Sequence, residues 1–190
     1  MESLEDEIKR VVSEWVEVVE YDPCWPRMFD EEKRHLLNCL PGALVIRIEH
    51  FGSTAVPGLA AKPIIDMLVE VSSLEETKKR IVPVLEAQEY DYFWRPSWGD
   101  DTPPYYAWFI KRNAAGQRTH HIHMIENNSL FSSHWDRLLF RDYLIKHSET
   151  AREYQKLKID LSKQFKDDRV GYTKAKTEFI LCITAKAKNQ

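Results

Sequence analysis

Cysteine is scarce and scattered. Cys24, Cys39 and Cys182 form neither a CxxC pair nor an even set that could frame disulfides, so a disulfide scaffold is excluded. Their pattern agrees with a reducing compartment and with small core residues. No apolar run approaches the roughly 20 residues that a membrane helix needs. The segment Met1 to Glu7 is acidic where a secretory leader would be basic and then apolar. A cytoplasmic protein with no membrane partner is therefore expected. Low-complexity tracts and internal repeats are also missing, which argues against global disorder.

What is present suits one domain. The chain has 190 residues, 43% of them hydrophobic and 12% aromatic, enough to bury a core. A net charge of −3 gives little support to extended nucleic-acid binding. That total hides an asymmetry. Residues 1–132 carry 14 basic and 22 acidic side chains, whereas residues 133–190 carry 13 basic and 8 acidic ones. The basic C-terminal part is either a set of solvated helix faces or a wall against a phosphate-bearing ligand.

Periodicity predicts a short polar helix over 3–13 and a strand-like run from Trp15 to Glu20. A helix opened by Pro26 follows, ending near Leu40. Buried strands are expected over 43–51 and 63–71, separated by a glycine-containing loop from Gly52 to Lys62. Next come a helix over 74–88, started by Ser72 or Ser73, and strands over 90–95, 105–112 and 118–125. The turn Asn113 to Gly116 makes the last two an antiparallel hairpin. Helices over 134–147, 149–167 and 171–187 complete the chain. The expected architecture is α/β: a sheet region over 15–125 and a helical part over 133–187.

Four features carry chemistry. Gly52 and Ser53 directly follow a strand, and the N–H groups there, including that of Thr54, are placed to hold a phosphate; a plain turn would read the same way. Asp66 is a carboxylate inside an apolar strand, where a charge needs a partner or a metal. His121 and His123 project from one strand face at a spacing that suits one divalent metal, or a hydrogen-bonded pair beside a ligand; His120 points the other way. Arg141 and Asp142 share a helix, and a helical wheel places Asp142 among Trp135, Leu138, Leu139 and Ile145. Either Arg141 reaches a phosphate or the two form a structural ion pair.

Taken together, Tyr21 to Pro26, the run from Glu49 through Gly52, Ser53 and Lys62 to Asp66, His121 and His123, Phe140 to Leu144, and Tyr172 to Ile180 resemble the GrpB family, also called UPF0157. The resemblance covers about residues 16–185. It implies a mixed sheet of the nucleotidyltransferase-like type with flanking helices and a helical C-terminal part. Some family members are joined to dephospho-CoA kinase.

The superfamily pattern is a Gly-Ser turn followed, on the next strand, by two carboxylates two residues apart. These hold divalent metals that bind a triphosphate and activate a hydroxyl. Gly52, Ser53 and Asp66 match. The second carboxylate is missing, because positions 64 and 68 are Ile64 and Leu68. Glu70 shares the face about 7 Å further on. His121 and His123 would then complete a one-metal site.

The resemblance thus implies Ser53 and Asp66 as catalytic residues and Gly52, Ser53, Thr54, Lys62 and Arg141 as phosphate ligands. Asp66, His121 and His123 would bind the metal, with Mg²⁺ or Mn²⁺ expected ahead of Zn²⁺. The partner is a nucleotide or another phosphorylated small molecule. Three readings follow: a nucleotidyl or phosphoryl transferase, a binding module without catalysis, and a metal-dependent hydrolase.

Overall fold

The structure is a computed structural model that describes residues 15–97 and 101–189. The expected helix over 3–13 lies outside the described residues. Helix α1 (Trp25–Cys39) has Pro26 in its first turn, where a missing N–H costs nothing. Strand β1 (Val45–Phe51) leads through Gly52 into a 3₁₀ turn (Ser53–Ala55) and then to β2 (Ile65–Val71).

The following helix is composite: α2 (Leu74–Glu76), a π segment (Thr77–Ile81) and α3 (Val82–Glu86). Ser73 caps it, its Oγ accepting the Glu76 N–H at 3.2 Å. Pro83 lacks the N–H that an α-ladder needs, and the turn before it widens so that Val82 N–H reaches the Thr77 carbonyl.

Strands β3 (Asp91–Pro96), β4 (Tyr105–Arg112) and β5 (Arg118–Glu126) follow, with Gly116 at φ +77° in the β4–β5 turn. A second 3₁₀ stretch (Ser129–Trp135) precedes α4 (Asp136–Lys146), α5 (Ser148–Gln164), α6 (Arg169–Ala175) and α7 (Thr177–Lys188). The helix expected over 171–187 is therefore two, broken at Lys176. No helix among the described residues is long and apolar enough to cross a membrane.

The sheet has the order β1-β2-β5-β4-β3, with β2 parallel to β5 and the other neighbours antiparallel. One face carries His50 and His120; the stacking of Phe29 on His50 at 4.8 Å seats α1 there. The opposite face carries Phe51, Asp66, His121, His123 and Trp108. Arg137 over the Phe51 ring and His134 against Tyr106 place the C-terminal helical part on it.

The expected strand at Trp15–Glu20 is not a sheet strand. It makes a single bridge, Val19 to Ala61, and the sheet begins at Val45 rather than at residue 15. Val16 is buried instead against Leu161 and Tyr172, so the segment straps the C-terminal helices.

Candidate functional site

Gly52 closes β1 with φ 77° and ψ −173°, a conformation essentially reserved for glycine. A Cβ there would lie 2.5 Å from Asp66 Oδ2, so the backbone of the turn rests directly on the carboxylate. Tyr154 from α5 stands beside Ser53, and burial pushes its hydroxyl up. Thr54 turns away from the site. It is 1% exposed, and its hydroxyl donates to the Ile64 carbonyl at 3.2 Å and meets His50 Nε2 at 3.0 Å. Its side chain pins the turn to the start of β2.

Parallel pairing of β2 with β5 puts Asp66 opposite His121 and Leu68 opposite His123. His121 Nδ1 donates to Asp66 Oδ1 at 3.1 Å, and the Tyr106 hydroxyl and His123 Nδ1 share a hydrogen bond of 3.0 Å. One ligand atom from each of Asp66, His121 and His123 lies within 4.8 Å of the others. One carboxylate with two imidazoles is a donor set that Zn²⁺, Mn²⁺ and Fe²⁺ accept.

Burial alone would raise the Asp66 carboxyl, but the His121 hydrogen bond, helped by Lys62 and Lys176, holds it below the usual range. Burial lowers His121 to about 4 against the opposing pull of Asp66. His123 is pushed well down by burial and by Arg137. Both imidazoles are therefore neutral at pH 7, the form that ligates a metal.

A cationic wall surrounds this group. Lys62 and Lys176 stand over the Tyr172 ring at 5.1 and 4.7 Å. Burial depresses both, Lys176 to about 8, and Lys62 is lowered further by Lys176 itself. Arg118 Nη1 lies 3.5 Å from His121 Nε2, and Arg169 adds its charge there. Arg95 and Arg137 act on the His123 end.

Of these cations, Lys62 was named from the sequence as a phosphate ligand. Arg95, Arg118 and Arg169 were not, and nothing local distinguishes them from surface charge. Lys176 lay inside the family-like stretch Tyr172 to Ile180 and was the one with a signal.

Arg141 is committed elsewhere. Its Nη1 donates to the His50 carbonyl at 2.6 Å and its Nε to Asp142 Oδ1 at 2.7 Å, with Glu49 at 3.7 Å. It clamps α4 to β1 instead of facing a ligand. Asp142 is not buried as the wheel suggested: its side chain is 47% exposed. Leu139 and Ile145 beside it are also exposed, because that flank of α4 has no cover. Leu68 is fully buried on the site face, and the carboxylate opposite it, Glu49, is held by Arg47 at 2.9 Å. Two recesses lie apart from this site. One runs between Val56–Leu59 and α4–α5, and the other sits by Glu32 and His120 on the far sheet face.

A mixed sheet that brings a carboxylate and two imidazoles together among lysine and arginine side chains from strands, a loop and the C-terminal helices defines a small α/β protein. Residues 15–186 match the family described as GrpB protein, and the chain belongs to that family. It is 38% identical over 174 residues to UPF0157 protein YqkA of Bacillus subtilis, covering 91% of this chain but 47% of that protein. It thus spans about half the length of that relative. A crystal structure of conserved protein GrpB from Enterococcus faecalis superposes with a TM-score of 0.74 at 32% identity, covering 90% of this chain and 96% of that one. More distantly, a dephospho-CoA kinase of Mycobacterium bovis is 26% identical over 187 residues, covering 86% of this chain and 44% of the kinase.

Proposed function

We propose that this chain binds a nucleotide or another phosphorylated small molecule through one divalent metal and a wall of lysine and arginine side chains, and that it transfers a nucleotidyl or phosphoryl group. The observation that carries the reading is the grouping of Asp66, His121 and His123 within 4.8 Å, with cations on every side. Asp66, His121 and His123 would hold the metal, and two imidazoles in the donor set favour Mn²⁺ or Zn²⁺ over Mg²⁺. A metal there would polarise a phosphoryl oxygen as a Lewis acid.

The protein's own contribution is positional. The Gly52–Ser53 turn lets backbone approach the ligand closely, and Lys62, Lys176, Arg118 and Arg169 would balance phosphate charge in a partly buried site. Tyr106 fixes the His123 ring through its hydrogen bond, and Asp66 fixes His121. A second reading, binding without turnover, is favoured by one observation. The position that would carry the second carboxylate is Leu68, 0% exposed and packed.

Thermal shift with nucleoside triphosphates, with and without Mn²⁺, Zn²⁺ or Mg²⁺, tests both. Ligand at 100 times its Kd adds about 2.7 kcal/mol of apparent stability. Asp66→Asn should fold and lose the metal-dependent part of the shift. Release of pyrophosphate supports nucleotidyl transfer, release of nucleoside diphosphate supports phosphoryl transfer, and a shift with neither product supports the binding module. No shift with any triphosphate and metal refutes both.

A further inference from the structure

Two buried donors near His123 have no hydrogen-bond partner among the described residues: Trp108 Nε1 and Arg137 Nη1. Both can only donate, and protein interiors rarely leave such groups unmet. Trp108 is on β4, and Arg137 reaches the same sheet face from α4, over the Phe51 ring. Trp108 pairs across to His123, and Arg95 pairs across to Tyr106 in the neighbouring register. The Arg95 guanidinium lies 4.7 Å from the Trp108 ring, and the Arg137 guanidinium lies 5.1 Å from the Phe51 ring. Stacking on aromatics fixes the plane of each guanidinium, which leaves its fork of N–H groups pre-aimed.

The Trp108 ring sits against both imidazoles, its centroid 5.2 Å from that of His121 and 6.1 Å from that of His123. Lys62 and Lys176 act on Asp66, and Arg118 and Arg169 on His121, whereas Arg95 and Arg137 act on His123. His121 and His123 are 6.4 Å apart between ring centroids, about one two-residue step along a strand.

We propose that Arg95, Arg137 and the indole N–H of Trp108 form a second oxyanion subsite, separate from the lysine-lined one. It rests on the reading above in one respect: the ligand then carries two anionic groups, one at each end of the Asp66–His121–His123 row. A phosphate or carboxylate oxygen at the subsite accepts from Trp108 Nε1 and Arg137 Nη1 and meets both otherwise unmet donors. Such a ligand is a diphosphate, a longer polyphosphate ester or a phosphorylated acid, and not a simple monophosphate ester.

The test follows the Trp108 indole ¹H–¹⁵N resonance, assigned by its loss in Trp108→Phe, during titration with inorganic phosphate. The full chain is kept in chelator, and sodium chloride of equal ionic strength is the control. A phosphate-specific, saturable shift of this resonance is expected, with a midpoint that weakens at least fivefold in Arg137→Gln. Lys62→Gln combined with Lys176→Gln should leave that midpoint within twofold. A resonance that phosphate does not move, or a shift that vanishes with the two lysines, overturns the separate subsite. Because chelator is present throughout, loss of the metal-dependent reading would leave this result standing, and the reverse also holds.

Discussion

Gly52→Ala, compared with Gly58→Ala, separates backbone strain from a direct blow to the site. Both glycines have positive φ, 77° and 76°, so alanine is strained at each. At Gly58 a Cβ meets nothing within 4 Å, which leaves a cost of about 1–2 kcal/mol. At Gly52 the backbone is in a region open essentially to glycine alone, costing about 3 kcal/mol. The new Cβ also lands 2.5 Å from Asp66 Oδ2 and must move the carboxylate.

With about 2–4 °C per kcal/mol for a chain of this size, Gly58→Ala should lower Tm by about 2–8 °C and Gly52→Ala by about 6–12 °C or more. Calorimetric titration with Mn²⁺, below either midpoint, should find metal affinity intact in Gly58→Ala and reduced at least tenfold in Gly52→Ala. A double-mutant cycle with Asp66→Ala should show coupling, since removing the carboxylate relieves the clash. Equal Tm losses together with unchanged metal affinity in Gly52→Ala would refute the claim that this glycine makes room for Asp66.

Replacing both His121 and His123 with alanine should weaken Mn²⁺ or Zn²⁺ affinity at least tenfold by calorimetry; an unchanged isotherm would remove this strand from the metal site. Lys158 is 2% exposed, donates to the Ala60 carbonyl, and is lowered by burial to about 7. Between pH 7 and its unfolded value of 10.5, the unfolded chain binds a proton that the folded chain refuses, so stability should rise with pH by at most about 1.4 kcal/mol per unit from this group. Below about pH 7 both states are protonated and the contribution is flat. Lys158→Met should flatten that rise in urea unfolding series at pH 7, 8 and 9, and an unaltered slope would show that Lys158 is charged in the fold.

Strands with their own strong patterns were legible from sequence. The expected strand over 105–112 coincides with β4, and the Asn113–Gly116 turn does join it to β5. The run Trp15–Glu20 has the same alternation but no free sheet edge beside it, so period two alone could not tell a strand from an extended strap. His121 and His123 were legible as a same-face pair because that follows from local geometry. Their meeting with Asp66 depends on β2 lying parallel beside β5, a pairing between segments 55 residues apart. Arg118, Arg169 and Lys176 carry no local sign of burial, since a long cationic side chain reads as solvated until another element covers it. The wheel failed for Asp142 for the opposite reason: apolar neighbours imply burial only where something packs over them.

The missing second carboxylate and the cationic wall are one electrostatic arrangement. Where two carboxylates hold two divalent metals, the metals supply the positive charge that a phosphate chain needs. Here Leu68 takes the second position, and Glu49, the carboxylate facing it, is held by Arg47 at 2.9 Å and lies 3.7 Å from Arg141. Under the proposed one-metal reading neither of these two positions would supply a ligand for a second metal. Positive charge is supplied by side chains instead, with Lys62, Lys176, Arg118 and Arg169 at one end and Arg95 and Arg137 at the other. Among these groups the row itself contributes the single negative charge of Asp66, because both imidazoles are neutral, while burial depresses Lys62 and Lys176. Under the proposed reading an anionic ligand would place negative charge beside cationic side chains that the fold already holds in position.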